Sequence, residues 1–288
     1  MSPDTALSHD HPHIGPCRMA EVNGLTIHLA EAGDGPAVVL VHGGQGWAYT
    51  WRHQLEPLAD AGYRVIAPDL PGSGYSDLPR DYDYSIEGLS GFLGYLLDCL
   101  EIEQAAFVAS SAGGLPVLDF AIRRPERVTT LVLASTCGVP HREPFLWRLV
   151  RWPLVGEAMR FFLTTGLVRS NLREMVYDGT LITDEVVAAY YEPLHRPGAW
   201  AAQLRLERSW RPTWVEANLE RIAAPTLVVW GQDDPWHPLS MAHEFGQRIT
   251  GAQVVILPEC GHLPHEERPA DFNRLVLEFL AHHQGEGM

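Results

Sequence analysis

Cysteine is scarce in this chain. Its four cysteines (Cys17, Cys99, Cys137 and Cys260) show no C-x-x-C pair and no metal-ligand spacing, so neither a disulfide framework nor a metal knot is expected. No run of 18 or more apolar residues exists, so no transmembrane helix is expected. Positive charge is in the minority. Lys and Arg number 21 against 36 Asp and Glu, a net charge of −15 with histidine neutral. That balance argues against nucleic acid or an anionic membrane as partner, and it equally suits an acidic enzyme kept soluble by its charge. Residues 1–17 lack the basic start and apolar core of a signal peptide, and a cytoplasmic protein is expected. Residues 1–18 read as a flexible polar tail; His9, His11 and His13 within it are weak metal-ligand candidates at most. There is no internal repeat and no low-complexity run.

What is present is an ordinary globular composition, 46% hydrophobic, in a length of 288 residues that suits one large domain or a domain with an insert. Apolar runs at 25–30, 37–41, 64–68, 105–110, 128–134, 226–230 and 253–257 read as strands. Helical patterns fall at 51–61, 85–100, 112–124, 239–249 and 269–282. Alternating β and α elements predict an α/β fold with a mostly parallel central sheet flanked by helices. Sites in such folds lie at the carboxyl ends of strands. The gap from 134 to 226 is too long for one crossover. It carries helical patterns at 144–149, 156–165, 167–177, 184–191 and 198–210, with Thr183 as an N-cap before Asp184 and Glu185. The predicted organisation is an α/β core of 19–138 and 216–288 with a helical cap, 139–215, inserted over the site.

The segment Phe107-Val-Ala-Ser-Ser111-Ala-Gly-Gly114 joins a strand to a helix. A serine framed by small residues two before and two after can occupy a very tight turn that lifts its hydroxyl out of the sheet edge. Ala109 and Gly113 frame Ser111; Ser110 would be framed by Val108 and Ala112, and a stiff β-branched valine suits a strained turn poorly. Ser111 is therefore the preferred nucleophile, although Ser is also a good N-cap.

A serine hydroxyl needs a base, and the base needs an orienting carboxylate. After the strand 226–230 comes Gly231-Gln-Asp-Asp234-Pro-Trp-His-Pro238, in which Asp234 is preferred over Asp233. After the strand 253–257 comes Pro258-Glu-Cys-Gly-His262-Leu-Pro-His265, where Gly261 permits a sharp loop and His262 is preferred over His265 and His237. Cys260 reads as a small apolar spacer. After the strand 37–41 comes His42-Gly-Gly44-Gln-Gly-Trp47, whose uncovered backbone amides suit an oxyanion. One donor falls to Gly44, with Gln45 as the alternative, and the second to Ala112. The loop lacks a G-x-x-x-x-G-K-[ST] pattern, so it is not a phosphate cradle of that kind.

The chain resembles the α/β-hydrolase family over about residues 20–280. The matching segments are His42-Gly-Gly44, Pro68-Asp-Leu-Pro-Gly-Ser-Gly-Tyr-Ser-Asp77, the turn around Ser111, Gly231 to Pro238, and Gly261-His262 with Glu267-Arg-Pro269 and Phe272. Ala109 stands where the family usually has glycine. The resemblance implies an α/β-hydrolase fold, a Ser111–His262–Asp234 triad, an oxyanion hole from Gly44 and Ala112, and no cofactor or metal. With serine rather than aspartate at the turn, dehalogenase and epoxide hydrolase activities are disfavoured.

The expected activity is hydrolysis of a small or medium apolar ester, thioester or lactone through an acyl-enzyme. The alternative is carbon–carbon bond hydrolysis, since the loop and cap placement are similar to those of meta-cleavage-product hydrolases. Two departures count against it: the loop lacks the proline often seen there, and Leu263 follows His262 where those enzymes often have tryptophan. A ligand-binding or non-hydrolytic protein of this fold is a further alternative. Aromatic residues suit an apolar pocket, with Trp47, Phe145, Trp147, Trp152, Trp210 and Trp236 as candidates, although packing explains any one of them as well. Arg148 and Arg151 are candidate carboxylate ligands that read more simply as surface residues. The sequence leaves open whether the chain forms a homo-oligomer.

Overall fold

The apolar runs become strands because both of their sides are covered. In the computed structural model, which describes residues 9–11, 14–140 and 149–284, nine strands form one sheet in the order β1-β2-β3-β5-β4-β6-β7-β8-β9. They are β1 (His9–His11), β2 (Gly15–Val22), β3 (Leu25–Ala32), β4 (Ala37–Val41), β5 (Arg64–Pro68), β6 (Ala105–Ser110), β7 (Val128–Ala134), β8 (Thr226–Gly231) and β9 (Gln253–Leu257). From β5 to β9 every pairing is parallel; β1, β2 and β3 add an antiparallel edge.

The strand residues alternate between two cores. Val39, Val41, Phe107, Ala109, Leu131 and Leu133 face one side. Val38, Leu40, Ala106, Val108, Val132 and Ala134 face the other. This is the two-residue period of a pleated strand, hidden in the sequence because both faces are apolar. The first side packs on α2 (Ile86–Cys99), α3 (Gly114–Arg123) and α9 (Leu239–Arg248), the second on α1 (Leu55–Asp60) and α11 (Pro269–Gln284). Each fully buried Leu, Val or Phe adds about 1.5–3 kcal/mol. Ser85 caps α2 by accepting the Gly88 N–H at 3.1 Å.

Between β7 and β8 lie α4 (Val155–Met159), α5 (Thr165–Met175), α6 (Asp184–Leu194), α7 (Ala199–Ser209) and α8 (Thr213–Glu216). Thr183 caps α6 as expected, accepting the Val186 N–H at 3.3 Å. Val168, Leu172, Val186, Val187 and Tyr190 join the second core, so the inserted helices are packed continuously with it. The last of them, α8, already belongs to the first core: Val215 is buried there, and the Arg123 guanidinium lies 3.8 Å over the Trp214 ring. The return to the core thus precedes residue 216.

The flexible-tail expectation for 1–18 needs correction where the chain is described. His9–His11 and Gly15–Val22 are strands, and Cys17, Ala20 and Val22 are buried. The polar composition concealed a sheet edge whose backbone is paired with β3. Among the described residues no helix is long and apolar enough to cross a membrane.

Candidate active site

The loops at the carboxyl ends of β4, β6, β8 and β9 converge. β6 is buried throughout and leads into a turn at Ser111, whose φ of 51° is left-handed. A residue with a Cβ carries about 1–2 kcal/mol of strain there. The turn is held by its neighbours. A Cβ on Gly113 would lie 2.2 Å from the His42 carbonyl oxygen, so only glycine lets α3 start this close to the β4 loop. Ser110 remains in the strand conformation, its hydroxyl buried among the strand ends with no hydrogen-bond partner.

Ser111 Oγ lies 2.9 Å from His262 Nε2. His262 Nδ1 lies 2.9 Å from Asp234 Oδ2. A carboxylate only accepts, so Nδ1 carries the proton and Nε2 is left to accept the serine O–H. The second Asp234 oxygen accepts the N–H groups of Trp236 and His237, both at 2.9 Å. Burial alone would raise the Asp234 pKa. The adjacent imidazoles and the backbone donor outweigh it, and the carboxyl is held below its ordinary range.

The rivals sit elsewhere. Asp233 is exposed. His265 is a core residue whose ring lies tilted against Trp51, centroids 4.3 Å apart, with Nε2 at 2.8 Å from the Thr50 hydroxyl; burial lowers its pKa to about 3, so it stays neutral. His237 packs edge-on against His262, ring centroids 4.7 Å apart, with Nδ1 at 2.8 Å from the Ser135 carbonyl. Its closeness to the proposed base is a feature the sequence reading missed; its place in the Asp234 loop was the available signal. Asp234, His237 and His262 have potential ligand atoms within 4.8 Å of one another. The hydrogen bonds of Asp234 and His262 are accounted for without an ion.

The β4 loop is pinned from behind. His42 Nδ1 donates to the Gly43 carbonyl at 2.8 Å, and Nε2 accepts the Leu70 N–H at 3.0 Å. Asp69 Oδ1 accepts the Ala48 N–H and Oδ2 the Tyr75 N–H, both at 2.7 Å. Gly44 is brought beside the serine turn: a Cβ on it would stand 3.8 Å from the Ala112 Cβ. Gln45, the alternative donor, has a left-handed φ of 57°.

The aromatic candidates separate. The Trp236 ring lies 5.2 Å from the His262 ring. Trp47 is 1% exposed, packs against Tyr49 and Tyr75 and donates its indole N–H to the Ala189 carbonyl at 2.9 Å, so it lines no open pocket. Trp210 packs beside Tyr84, Leu89 and Leu206 in a small cluster between the core and the helices inserted after β7. Trp152 is 61% exposed. Phe145, Trp147 and Arg148 lie outside the described residues. Arg151 pairs with Glu207 at 3.7 Å. Trp47 is core because tryptophan content does not say which way a loop turns. Cys260 is buried, as a spacer should be, and burial pushes its thiol well above the ordinary range.

The sequence pattern of the alpha/beta hydrolase fold matches residues 36–269. A 2-hydroxy-6-oxo-6-phenylhexa-2,4-dienoate hydrolase of Comamonas testosteroni is 34% identical over 274 residues, covering 90% of this chain and 93% of that one. The AB hydrolase superfamily protein YfhM of Bacillus subtilis (strain 168) is 31% identical, covering 92% and 97%. Among solved structures, a meta-cleavage product hydrolase (CumD) from Pseudomonas fluorescens IP01 superposes with a TM-score of 0.82 at 29% identity, covering 94% of this chain and 99% of that one. The family pattern, the relatives and the sheet order agree: this chain is a member of the alpha/beta hydrolase fold family.

Proposed function

We propose that this enzyme is a serine hydrolase that cleaves a carbon–carbon bond next to a ketone in a 2-hydroxy-6-oxo-dienoate. The unbroken Ser111–His262–Asp234 hydrogen-bond chain, 2.9 Å at each link, carries the serine chemistry. The substrate class rests on the relatives whose names specify such dienoates, at 33–34% identity over most of both chains.

In the proposed mechanism, His262 takes the Ser111 proton and Oγ attacks the ketone carbonyl. The N–H groups of Gly44 and Ala112 hold the developing oxyanion, an interaction that contributes most in the transition state. Collapse of the tetrahedral centre breaks the bond to carbon rather than to oxygen. Carbon is a poor leaving group unless its electrons enter a conjugated acceptor, and the keto form of a dienoate supplies one. The imidazolium returns its proton to that product. His262 then activates a water that hydrolyses the acyl-serine, and Asp234 orients the imidazole and balances its charge throughout.

A second reading, cleavage of an apolar ester, thioester or lactone by the same groups, is favoured by Leu263 in place of tryptophan. The test offers the purified protein 6-methyl and 6-phenyl 2-hydroxy-6-oxohexa-2,4-dienoates beside p-nitrophenyl acetate and butyrate, with Ser111→Ala as control. The expected result is a kcat/KM for one dienoate at least a hundredfold above either ester, abolished in the variant. The reverse ratio moves the activity to esters. Turnover of neither, in a folded protein, rejects both readings.

A further inference from the structure

The loop carrying His262 is held by the cap as well as by the core. The His262 N–H donates to the carbonyl of Met175, the last residue of α5, at 2.7 Å. Glu267, at the end of α10 (Pro264–Glu267), makes the second link. Its carboxylate accepts the Gly261 N–H at 3.0 Å and the Leu263 N–H at 3.1 Å, on either side of the histidine. The same carboxylate accepts the Tyr177 N–H from the cap at 2.7 Å.

Gly261 shows how close this approach is. A Cβ there would meet the Met175 carbonyl oxygen at 2.4 Å, the Tyr177 nitrogen at 2.9 Å and Glu267 Oε1 at 3.0 Å. Its φ is not left-handed, so this glycine provides room for the cap rather than freedom to turn. Glu267 and Val176 also line a cavity of about 340 Å³ between cap and core. Burial raises the Glu267 pKa while the backbone donors from Tyr177, Gly261 and Leu263 oppose that rise.

We infer that Glu267 is a positioning residue that couples the seating of cap segment 175–177 to the placement of His262, so that the base meets Ser111 only when the cap is docked. The inference rests on the reading of His262 as the base. If Glu267 merely fastened its own loop, the cap link would be incidental and its removal silent.

A backbone N–H can be deleted only with proline. Tyr177→Pro removes the cap donor, and Val176 already has the extended backbone, φ −105° and ψ 152°, that the residue before proline prefers. Tyr177→Ala keeps the N–H and controls for loss of the half-exposed ring. Each variant is followed by hydrogen–deuterium exchange over 259–264 and by the rate at which a fluorophosphonate labels Ser111, with a thermal melt to confirm folding. Tyr177→Pro is expected to speed exchange at 261–263 and slow labelling about tenfold, less than the roughly 100-fold that a full 1 Å misplacement can cost. Tyr177→Ala is expected to match wild type in both. Should Tyr177→Pro fail to fold, Glu267→Gln, which turns an NH2 toward one of the donors, carries the test with the same expected changes. Wild-type exchange in the perturbed variant, or labelling as fast as in Tyr177→Ala, overturns the inference. If wild-type Ser111 does not label at all, the hydrolase reading falls, and exchange alone still judges the coupling.

Discussion

Replacing Gly43 with alanine tests the packing of the site at a single atom. The added Cβ would lie 2.8 Å from the Ser111 Cβ, 3.2 Å from the Ser110 carbonyl oxygen and 3.5 Å from Ser111 Oγ. Carbon atoms rest about 3.5–4.0 Å apart, so roughly 0.7–1.2 Å must be found. β6 cannot supply it, because it is buried and paired on both sides. If the serine turn gives way, the 2.9 Å contact of Oγ with His262 is lost. A 1 Å error at reacting atoms costs on the order of 100-fold. If the β4 loop yields instead, the Gly44 amide leaves its place, and losing one oxyanion donor costs about 100- to 1000-fold. Either way kcat/KM should fall about 100-fold, or about 2.7 kcal/mol of barrier. The overpacking itself should cost about 1–3 kcal/mol of stability, so the variant remains folded with a lower Tm. Gly44→Ala is the control. Its Cβ would meet Ala112 Cβ at 3.8 Å and Glu207 Oε1 at 3.9 Å, ordinary contact distances, and neither glycine has a left-handed φ. It should stay within about threefold of wild type, since it keeps the N–H and adds no overlap. Fluorophosphonate labelling of Ser111 reads both variants before a substrate is in hand. Equal rates for the two would refute the steric argument.

Asp234→Asn should lower labelling and turnover by about 10³–10⁴-fold with the melting curve little changed, because an amide can hold the wrong imidazole tautomer; a loss under tenfold would show that the carboxylate does not orient His262. Ser85→Ala should cost about 1 kcal/mol by removing the cap of α2, read as a lower urea midpoint with activity intact. His28 stands 3.0 Å from Asp69 in the core behind the β4 loop. Burial opposes its charge, but hydrogen bonds and charge from Asp69 and Cys17 prevail and raise its pKa from 6.5 to about 10. A raised pKa gives stability that is full below pH 6.5 and lost as pH rises through about 10. The stability deficit of His28→Asn should therefore be largest near pH 6 and shrink toward pH 10.5 in urea titrations; a deficit independent of pH would mean that the loss is one of packing alone.

The sequence by itself determined the alternation of strands and helices, because apolar runs bounded by glycine and proline, and 3.6-residue patterns, are local signals. It also singled out Ser111 as the serine at the tight turn. The small residues Ala109 and Gly113 suit only one of the two serines to a tight turn, and Ser111 is the one found with the left-handed φ. Asp234 and His262 were legible because each follows a strand end, where the chain must turn over the sheet edge. What lay beyond it depends on contacts between residues far apart in the chain. The partly buried strand β2, second from the sheet edge, was invisible in a polar composition, since its pairing with β3 is backbone to backbone. Trp47 was read as pocket and is core, because an indole serves either equally well and only the packed neighbours decide. Gly261 was read as freedom to turn and proved to be room for another segment. Tertiary structure alone placed His237 against His262 and joined Glu267 to both the cap and the histidine loop, because a side chain's partners are set by how distant elements dock rather than by its own neighbours in sequence.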